Sequence, residues 1–176
     1  FHFCDLAKRV CFIDVGSNIG IFPLALSRYQ EIHRAKALQS SSIDVDPELV
    51  IYAHEPLPML KDISERLMSE NNVSYNLSST AISNSTGTAD FYVSAMSDSS
   101  NSLLEGFRPT KETLKVKVNT LDELYFQYLK ESAFDRMILK IDVETFEPQV
   151  LEGASRILNV HRPIIICEVL ANRTEQ

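Results

Sequence analysis

Phe12-Ile-Asp-Val-Gly-Ser-Asn-Ile-Gly20 is the stretch on which the fold turns. It begins as the tail of an apolar run, Val10-Cys-Phe-Ile-Asp-Val15, bends through two glycines and enters a segment with helical spacing. An apolar run with no polar alternation reads as a strand buried on both faces, the kind found in parallel sheets. Ile19, Phe22, Leu26 and Tyr29 fall on one face of the helix that follows. Pro23 fits that helix only within its first turn, where backbone N–H groups lack intrahelical partners anyway. Strand, glycine bend, helix is the opening unit of an open α/β sheet.

Outward from this unit the same grammar repeats. Met137-Ile-Leu-Lys-Ile-Asp-Val143 and Pro163-Ile-Ile-Ile-Cys-Glu-Val-Leu170 are further buried runs, and Leu49-Val-Ile-Tyr-Ala-His-Glu55 is a fourth, less uniform one. Helical patterns separate them. Met59, Leu60, Ile63 and Leu67 mark one helix behind Pro58. Val150, Leu151, Ala154, Ile157 and Leu158 mark another behind Pro148, since proline is well placed at a helix start. In the middle, Ala89–Ser94 and Lys115–Asn119 alternate instead, with Val116 and Val118 on one face and lysines on the other, as half-exposed antiparallel strands do. The segment from Ser94 to Thr113 has no apolar period and reads as a long loop. Thr120-Leu-Asp-Glu123 is a capping box that starts a further helix. The expected class is therefore α/β: a doubly wound, mostly parallel, Rossmann-like sheet flanked by helices, with an antiparallel extension between its third and fourth core strands. With no internal repeat or linker, residues 1–176 read as a single domain.

Composition narrows the partners. Lys and Arg number 17 against 24 acids, for a net charge of −7, and they are scattered, so no basic face offers itself to nucleic acid. No run approaches the roughly 20 apolar residues of a membrane span. Cys4, Cys11 and Cys167 form an odd set without metal-ligand spacing, which suggests buried free thiols in a reducing, cytoplasmic setting. Sequons begin at Asn72, Asn76, Asn84 and Asn172 and would matter only in a secreted chain. Phe1 in place of an initiating Met suggests a piece of a longer protein.

The candidate site follows from strand tips. Open α/β sheets bind ligands at the carboxyl ends of their strands, near the switch point beside the first one. Gly16 and Gly20 would let backbone approach a ligand, and Asp14 puts a carboxylate at the strand end. The spacing is G-x-x-x-G, not the dinucleotide fingerprint, and no lysine completes a phosphate loop. A carboxylate there would repel a pyrophosphate, whereas a sulfonium amino acid, cationic at sulfur and ammonium, would be attracted. Glu55 ends the second strand, where an acid commonly accepts hydrogen bonds from both ribose hydroxyls.

These residues resemble the first two cofactor motifs of the FkbM-type family of class I S-adenosylmethionine-dependent methyltransferases, as Asp14-Val-Gly-Ser-Asn-Ile-Gly20 and His54-Glu-Pro56. Further matches occur in the family's order: Ala81-Ile-Ser-Asn with Gly87, Ser99-Ser-Asn-Ser-Leu103, Val118-Asn-Thr-Leu-Asp122, Leu139-Lys-Ile-Asp-Val-Glu144, Val150-Leu-Glu-Gly-Ala154 and Arg162-Pro-Ile-Ile-Ile-Cys-Glu168. The resemblance implies S-adenosylmethionine as cofactor and O-methylation of a hydroxyl on a small molecule or sugar; Asp142 with Glu144 lack a third ligand, so no metal is expected. It places Gly16, Ser17, Asn18 and Gly20 at the methionine moiety, with Asp14 beside them, and Glu55 and Pro56 at the ribose. Ala81, Ile82 and Ser83 would line the adenine. Asp142 and Glu144 would face the methyl group and acceptor. Either acid could act as general base, or the pair could hold the sulfonium electrostatically. The Ser94 to Thr113 loop could fold over the site as a lid.

Two features depart from the family. Thr145 and Phe146 stand where Gly-Ala is usual, which would narrow the pocket, and Arg28 to Pro47 is a long connection carrying Ser40-Ser-Ser42. The chain also stops soon after its fifth core strand, so a truncated core and a possible homodimer through the uncovered edge are expected. A non-catalytic domain that keeps the fold, binds the cofactor or mediates assembly is the alternative function. An NAD-dependent oxidoreductase is disfavoured by the missing fingerprint.

Overall fold

The structure, a computed structural model, describes residues 9–40, 47–97, 100–124 and 132–169. Along the chain the elements are β1 (Arg9–Val15), α1 (Ile21–Ser40), β2 (Glu48–His54), α2 (Pro58–Glu70), β3 (Asn76–Ser78), β4 (Thr80–Ile82), β5 (Gly87–Ser94), β6 (Thr110–Asn119), α3 (Leu121–Leu124), β7 (Arg136–Ile141), α4 (Glu147–Glu152), α5 (Ser155–His161) and β8 (Ile164–Cys167). The four apolar runs become β1, β2, β7 and β8, which with β3 form a five-stranded parallel sheet in the order β3-β2-β1-β7-β8. The chain winds outward from β1 to β3, then returns to β7 on the other side of β1, which opens a crevice at the carboxyl ends of β1 and β7. This is the expected Rossmann-like architecture.

The hairpin of β5 and β6 is antiparallel, with Asp90 opposite Lys115 and their side chains paired at 2.8 Å. It does not extend the main sheet. β4 pairs with β6 in parallel, so the three strands form a separate mixed sheet in the order β4-β6-β5. Val116 and Val118 face inward onto Leu57, Leu60, Ala81 and Phe91 as a second, smaller core, while Lys115 and Lys117 stay exposed.

The period of two sets the main core. Cys11, Ile13 and Val15 on β1 and Met137, Leu139 and Ile141 on β7 face the side covered by α3, α4 and α5, against Leu121, Val150, Ala154 and Ile157. Full burial of an aliphatic side chain of this kind stabilises by about 1.5–3 kcal/mol. The alternate residues of the two strands, Asp14 and Lys140 among them, face the opposite side.

Four expectations need correction. Phe22 and Tyr29 are on the exposed flank of α1, 46% and 42% accessible, and its buried stripe runs instead through Pro23 with partly buried Leu26 and Ser27. In α2 the buried stripe is Leu60, Ser64 and Met68, one residue out of phase with the expected one, and Met59 and Ile63 are exposed. The reason is Gly20: a Cβ there would sit 2.7 Å from Ser64 Oγ and 2.8 Å from Met68 Cε, so the helix docks on the glycine through its small serine. The helix expected from Pro148 onward is two helices, broken at Gly153-Ala154. There Asp122 donates its N–H to the Gly153 carbonyl while its carboxylate caps α5, accepting from Ser155 Oγ and from the N–H groups of Arg156 and Ile157. Lastly, β8 is the outermost strand of the sheet among the described residues, with Ile164, Ile165 and Ile166 all more than two-fifths exposed.

The long connection after α1 is shorter than expected, because the helix itself reaches Ser40; residues 41–46 lie outside the described part, as do Cys4, Ser99 and the Asn172 sequon. Thr120 Oγ accepts the N–H of Glu123, as a capping residue does. Among the described residues, no helix is long and apolar enough to cross a membrane. Cys11 and Cys167 are free thiols, and burial pushes that of Cys11 up to about 12.

Candidate active site

The bend after β1 is built from left-handed residues: Gly16, Asn18 and Gly20 have φ of 77°, 51° and 84°. Gly16 has a second reason to be glycine, since a Cβ there would run into the backbone carbonyl of Asp142. Asn18 tolerates its conformation because its own Oδ1 accepts the N–H of Ile19 at 2.7 Å. The bend is stitched to the end of β2. Gly16 and Ser17 donate their N–H groups to the His54 carbonyl at 3.1 and 3.0 Å, and Asn18 donates to Glu55 Oε2 at 3.0 Å. The other carboxylate oxygen of Glu55 accepts the N–H of Leu57 at 2.9 Å. On the far side, Asp142 donates its N–H to the Val15 carbonyl. One acid therefore organises two loops, and each of its oxygens keeps a free lone pair.

A cavity of about 270 Å³ opens over these strand tips. Gly16, Asn18, Glu55 and Pro56 line one part of it, Leu60, Ala81, Ile82 and Phe91 an apolar part, and Asp142, Glu144, Phe146 and Glu168 a third. Asn101 and Leu103, from the loop between β5 and β6, complete the wall. The charges around it have one sign. Glu55 is pushed up to about 7 by burial, against the pull of its two backbone donors. Glu144 is raised by burial and then by Asp142 and Glu168, and Glu168 is raised chiefly by Asp142. Burial pushes His54 down to about 4, so its imidazole is neutral at physiological pH. No lysine or arginine lines the cavity among the described residues.

Asp14 is different. It is wholly buried beside the cavity and lines none of it. Its partner is Lys140, whose Nζ lies 3.0 Å from Asp14 Oδ1, 3.4 Å from Asp142 Oδ2 and 3.3 Å from the Gly16 carbonyl oxygen. Burial raises the Asp14 carboxyl and the lysine opposes that rise. Asp14, expected to face a cationic ligand, is instead balanced internally by Lys140, and the acids that face the cavity are Glu55, Asp142, Glu144 and Glu168.

Beyond β7 the chain makes a turn that side chains rarely adopt. Glu144 and Thr145 both have positive φ, 52° and 85°. A β-branched residue in that region costs roughly 1–2 kcal/mol and persists only when its surroundings hold it. Glu147 Oε1 accepts the N–H groups of Val143 and Thr145 at 3.3 and 3.0 Å. From the opposite side, buried Ser102 donates its hydroxyl to the Glu144 carbonyl at 2.7 Å and accepts the N–H of Leu104. The loop after β5 is thus fastened across the cavity: Ser102 pairs with Tyr92 in a two-residue bridge, and Asn101 Oδ1 accepts the Ser94 N–H.

Of the residues singled out from sequence, Gly16, Asn18, Glu55, Pro56, Ala81, Ile82, Asp142 and Glu144 share this one cavity. Ser17 is buried in the bend, Gly20 is the contact with α2, and Ser83 is buried with its N–H on the Asn119 carbonyl and its own carbonyl against Gly153. Those three stand behind the wall. Glu168 and Phe91 were not singled out. Glu168 had a signal: it ends an apolar run, as Asp14 and Glu55 do. Phe91 had none, because only the packing of the second sheet brings it there.

The sequence matches the family described as the Methyltransferase FkbM domain over residues 14–176. In three dimensions the chain is similar to the crystal structure of a methyltransferase FkbM from Methylobacillus flagellatus, with a TM-score of 0.52 at 13% identity. That likeness covers 91% of this chain and 32% of the other, so the chain spans about a third of that protein's length. No curated protein matches the sequence.

Proposed function

We propose that this chain, which belongs to the FkbM methyltransferase family, binds S-adenosylmethionine in the cavity at its strand tips and methylates a hydroxyl of a small molecule or sugar. One observation carries the reading. Four carboxylates line or rim the cavity and no cationic side chain does, among the described residues. That lining suits a ligand positive at sulfur and ammonium and disfavours a pyrophosphate. The apolar part formed by Leu60, Ala81, Ile82 and Phe91 suits a flat base. The residues present therefore fit the group that the family implies.

When bound, the cofactor supplies a methyl on a sulfonium already activated for in-line displacement. What remains for the chain is positioning and exclusion of water. The Gly16–Asn18 bend would hold the amino-acid end. Glu55 would accept the ribose hydroxyls with the lone pairs its two backbone donors leave free. Asp142 and Glu144 would face the transferred methyl and the acceptor. Of these two, Asp142 is already paired with Lys140, while the Glu144 carboxyl is raised above its ordinary range, nearer the pKa at which a base works best at neutral pH. Glu144 is therefore the better general base, taking the acceptor's hydroxyl proton. Phe146 narrows the acceptor side.

Thermal shift with S-adenosylhomocysteine and with NAD separates the cofactor classes, because a ligand of the native state raises the melting temperature by mass action. Stabilisation by S-adenosylhomocysteine is expected; stabilisation by NAD alone would overturn the reading. Transfer of a labelled methyl to a pool of hydroxylated metabolites tests turnover. Binding without any labelled product would point to the non-catalytic alternative, which the unusual Thr145-Phe146 pair favours.

A further inference from the structure

Lys140 is a lysine in the middle of a buried strand, 4% exposed, on the central pair of the sheet. Its Cα partner across the β1–β7 ladder is Asp14, so the two side chains rise from the same face. Neutralising Asp14 would explain the lysine by itself, as an unpaired charge in such a place would be very costly. The ammonium does more than that. It has three N–H donors and three oxygen neighbours, each from a different part of the chain. Asp14 belongs to β1, the Gly16 carbonyl to the bend, and Asp142 to the tip of β7. The ring of Phe22, in the first turn of α1, lies 4.8 Å from the same Nζ and closes the remaining side.

The carbonyl of Gly16 belongs to the peptide whose N–H is that of Ser17, one of the two groups held by His54. Orientation of that peptide sets the direction of the bend leading to Asn18 and hence the hydrogen bond to Glu55. We infer that Lys140 is a positioning residue, tying the Gly16 carbonyl and the Asp142 carboxylate to one ammonium so that the bend and the acid beside it are held in fixed relation. On the proposed function, on which the inference rests for its ligand readout, this couples the place of the cofactor's amino-acid end to that of the acid facing the methyl group.

The competing account is purely structural, with Lys140 present only to balance Asp14. The two differ in the double variant Lys140→Met with Asp14→Asn. Replacing a buried ion pair by neutral residues of similar size is often neutral or stabilising, while removing one partner alone is not. The double variant should therefore unfold at a urea concentration close to the wild type's. On the positioning account, the amides of Gly16, Ser17 and Asn18 nevertheless exchange with solvent ten-fold or more faster, with β1 and β7 amides unchanged. S-adenosylhomocysteine then binds ten-fold or more weakly. Wild-type exchange and wild-type affinity in the double variant would overturn the inference. Should methionine prevent folding, Lys140→Leu with Asp14→Asn likewise removes the donor to the Gly16 carbonyl and is read in the same two ways. If the wild-type chain itself fails to bind S-adenosylhomocysteine, the proposed function falls, and amide exchange still decides the role of Lys140.

Discussion

Replacing Glu55 by glutamine removes the acid whose ionisation the fold resists most visibly at the cavity. Its pKa is pushed from the ordinary 4.5 to about 7. Each pKa unit is worth about 1.4 kcal/mol, so keeping this carboxylate ionised in the native state costs about 3 kcal/mol relative to the unfolded chain. For an acid whose folded pKa lies above its unfolded one, the native state holds the proton longer. Stability contributed by the protonated form is complete below about pH 4.5 and is lost as pH rises towards 7. Between pH 5 and pH 8 the wild type should lose about 2.5 kcal/mol through Glu55 alone. The other acids with raised pKa values, Asp14, Glu144 and Glu168, slope the same way in both proteins, so the difference between the two curves isolates this residue. Glutamine keeps one acceptor for the two backbone donors, so the variant carries a constant penalty of about 1–3 kcal/mol at every pH. Urea unfolding at pH 5, 6, 7 and 8 measures both. The expected result is a flatter profile for Glu55→Gln, converging on or crossing the wild type near pH 8. Parallel profiles, offset but equally steep, would refute the claim that burial raises this carboxyl.

Thr145→Gly relieves a β-branched residue at φ 85°. The strain released, roughly 1–2 kcal/mol, equals or exceeds the extra backbone entropy of glycine, roughly 0.5–1, so stability should rise by up to about 1.5 kcal/mol in urea unfolding. A clear loss would mean the turn is not strained. Ser102→Ala deletes the hydroxyl between Glu144 and Leu104 and should cost about 1–2 kcal/mol. It should also speed release of S-adenosylhomocysteine several-fold in stopped-flow; an unchanged rate would deny the strap any part in retaining ligand.

The strands were readable because β-branched runs bounded by Gly, Pro and acids have few other uses, and β1, β2 and β7 fall within a residue or two of their expected limits. The helix faces were less readable. α2 turned out one residue from its apolar stripe because Gly20 demands a small partner, Ser64, and no helical period records a glycine on another element. The break at Gly153 depends likewise on Asp122, distant in sequence. At the site, residues that end buried strands were visible, since a carboxylate at a strand tip interrupts an apolar pattern. The sign of the field was harder to foresee. Asp14 and Lys140 each break an apolar run in the same way, and only the register of the two strands reveals that they cancel. Phe91 reaches the cavity through a second sheet whose docking leaves no local trace.

The close approach of Gly16 to the Asp142 backbone bears on how anything gets in and out. A Cβ on Gly16 would run into the Asp142 carbonyl just past the strand ends, and a hydrogen bond from the Asp142 N–H to the Val15 carbonyl lies beside it. The floor consequently has no slack: parting β1 from β7 to admit a visitor would break the sheet's central ladder. On the proposed function, a ligand would pass over the opposite rim, where Ser102 and the bridge to Tyr92 are the fastenings. On the proposed function, arrival and departure should thus both respond to changes in that span, while substitutions along the ladder that weaken binding should act mainly through faster departure.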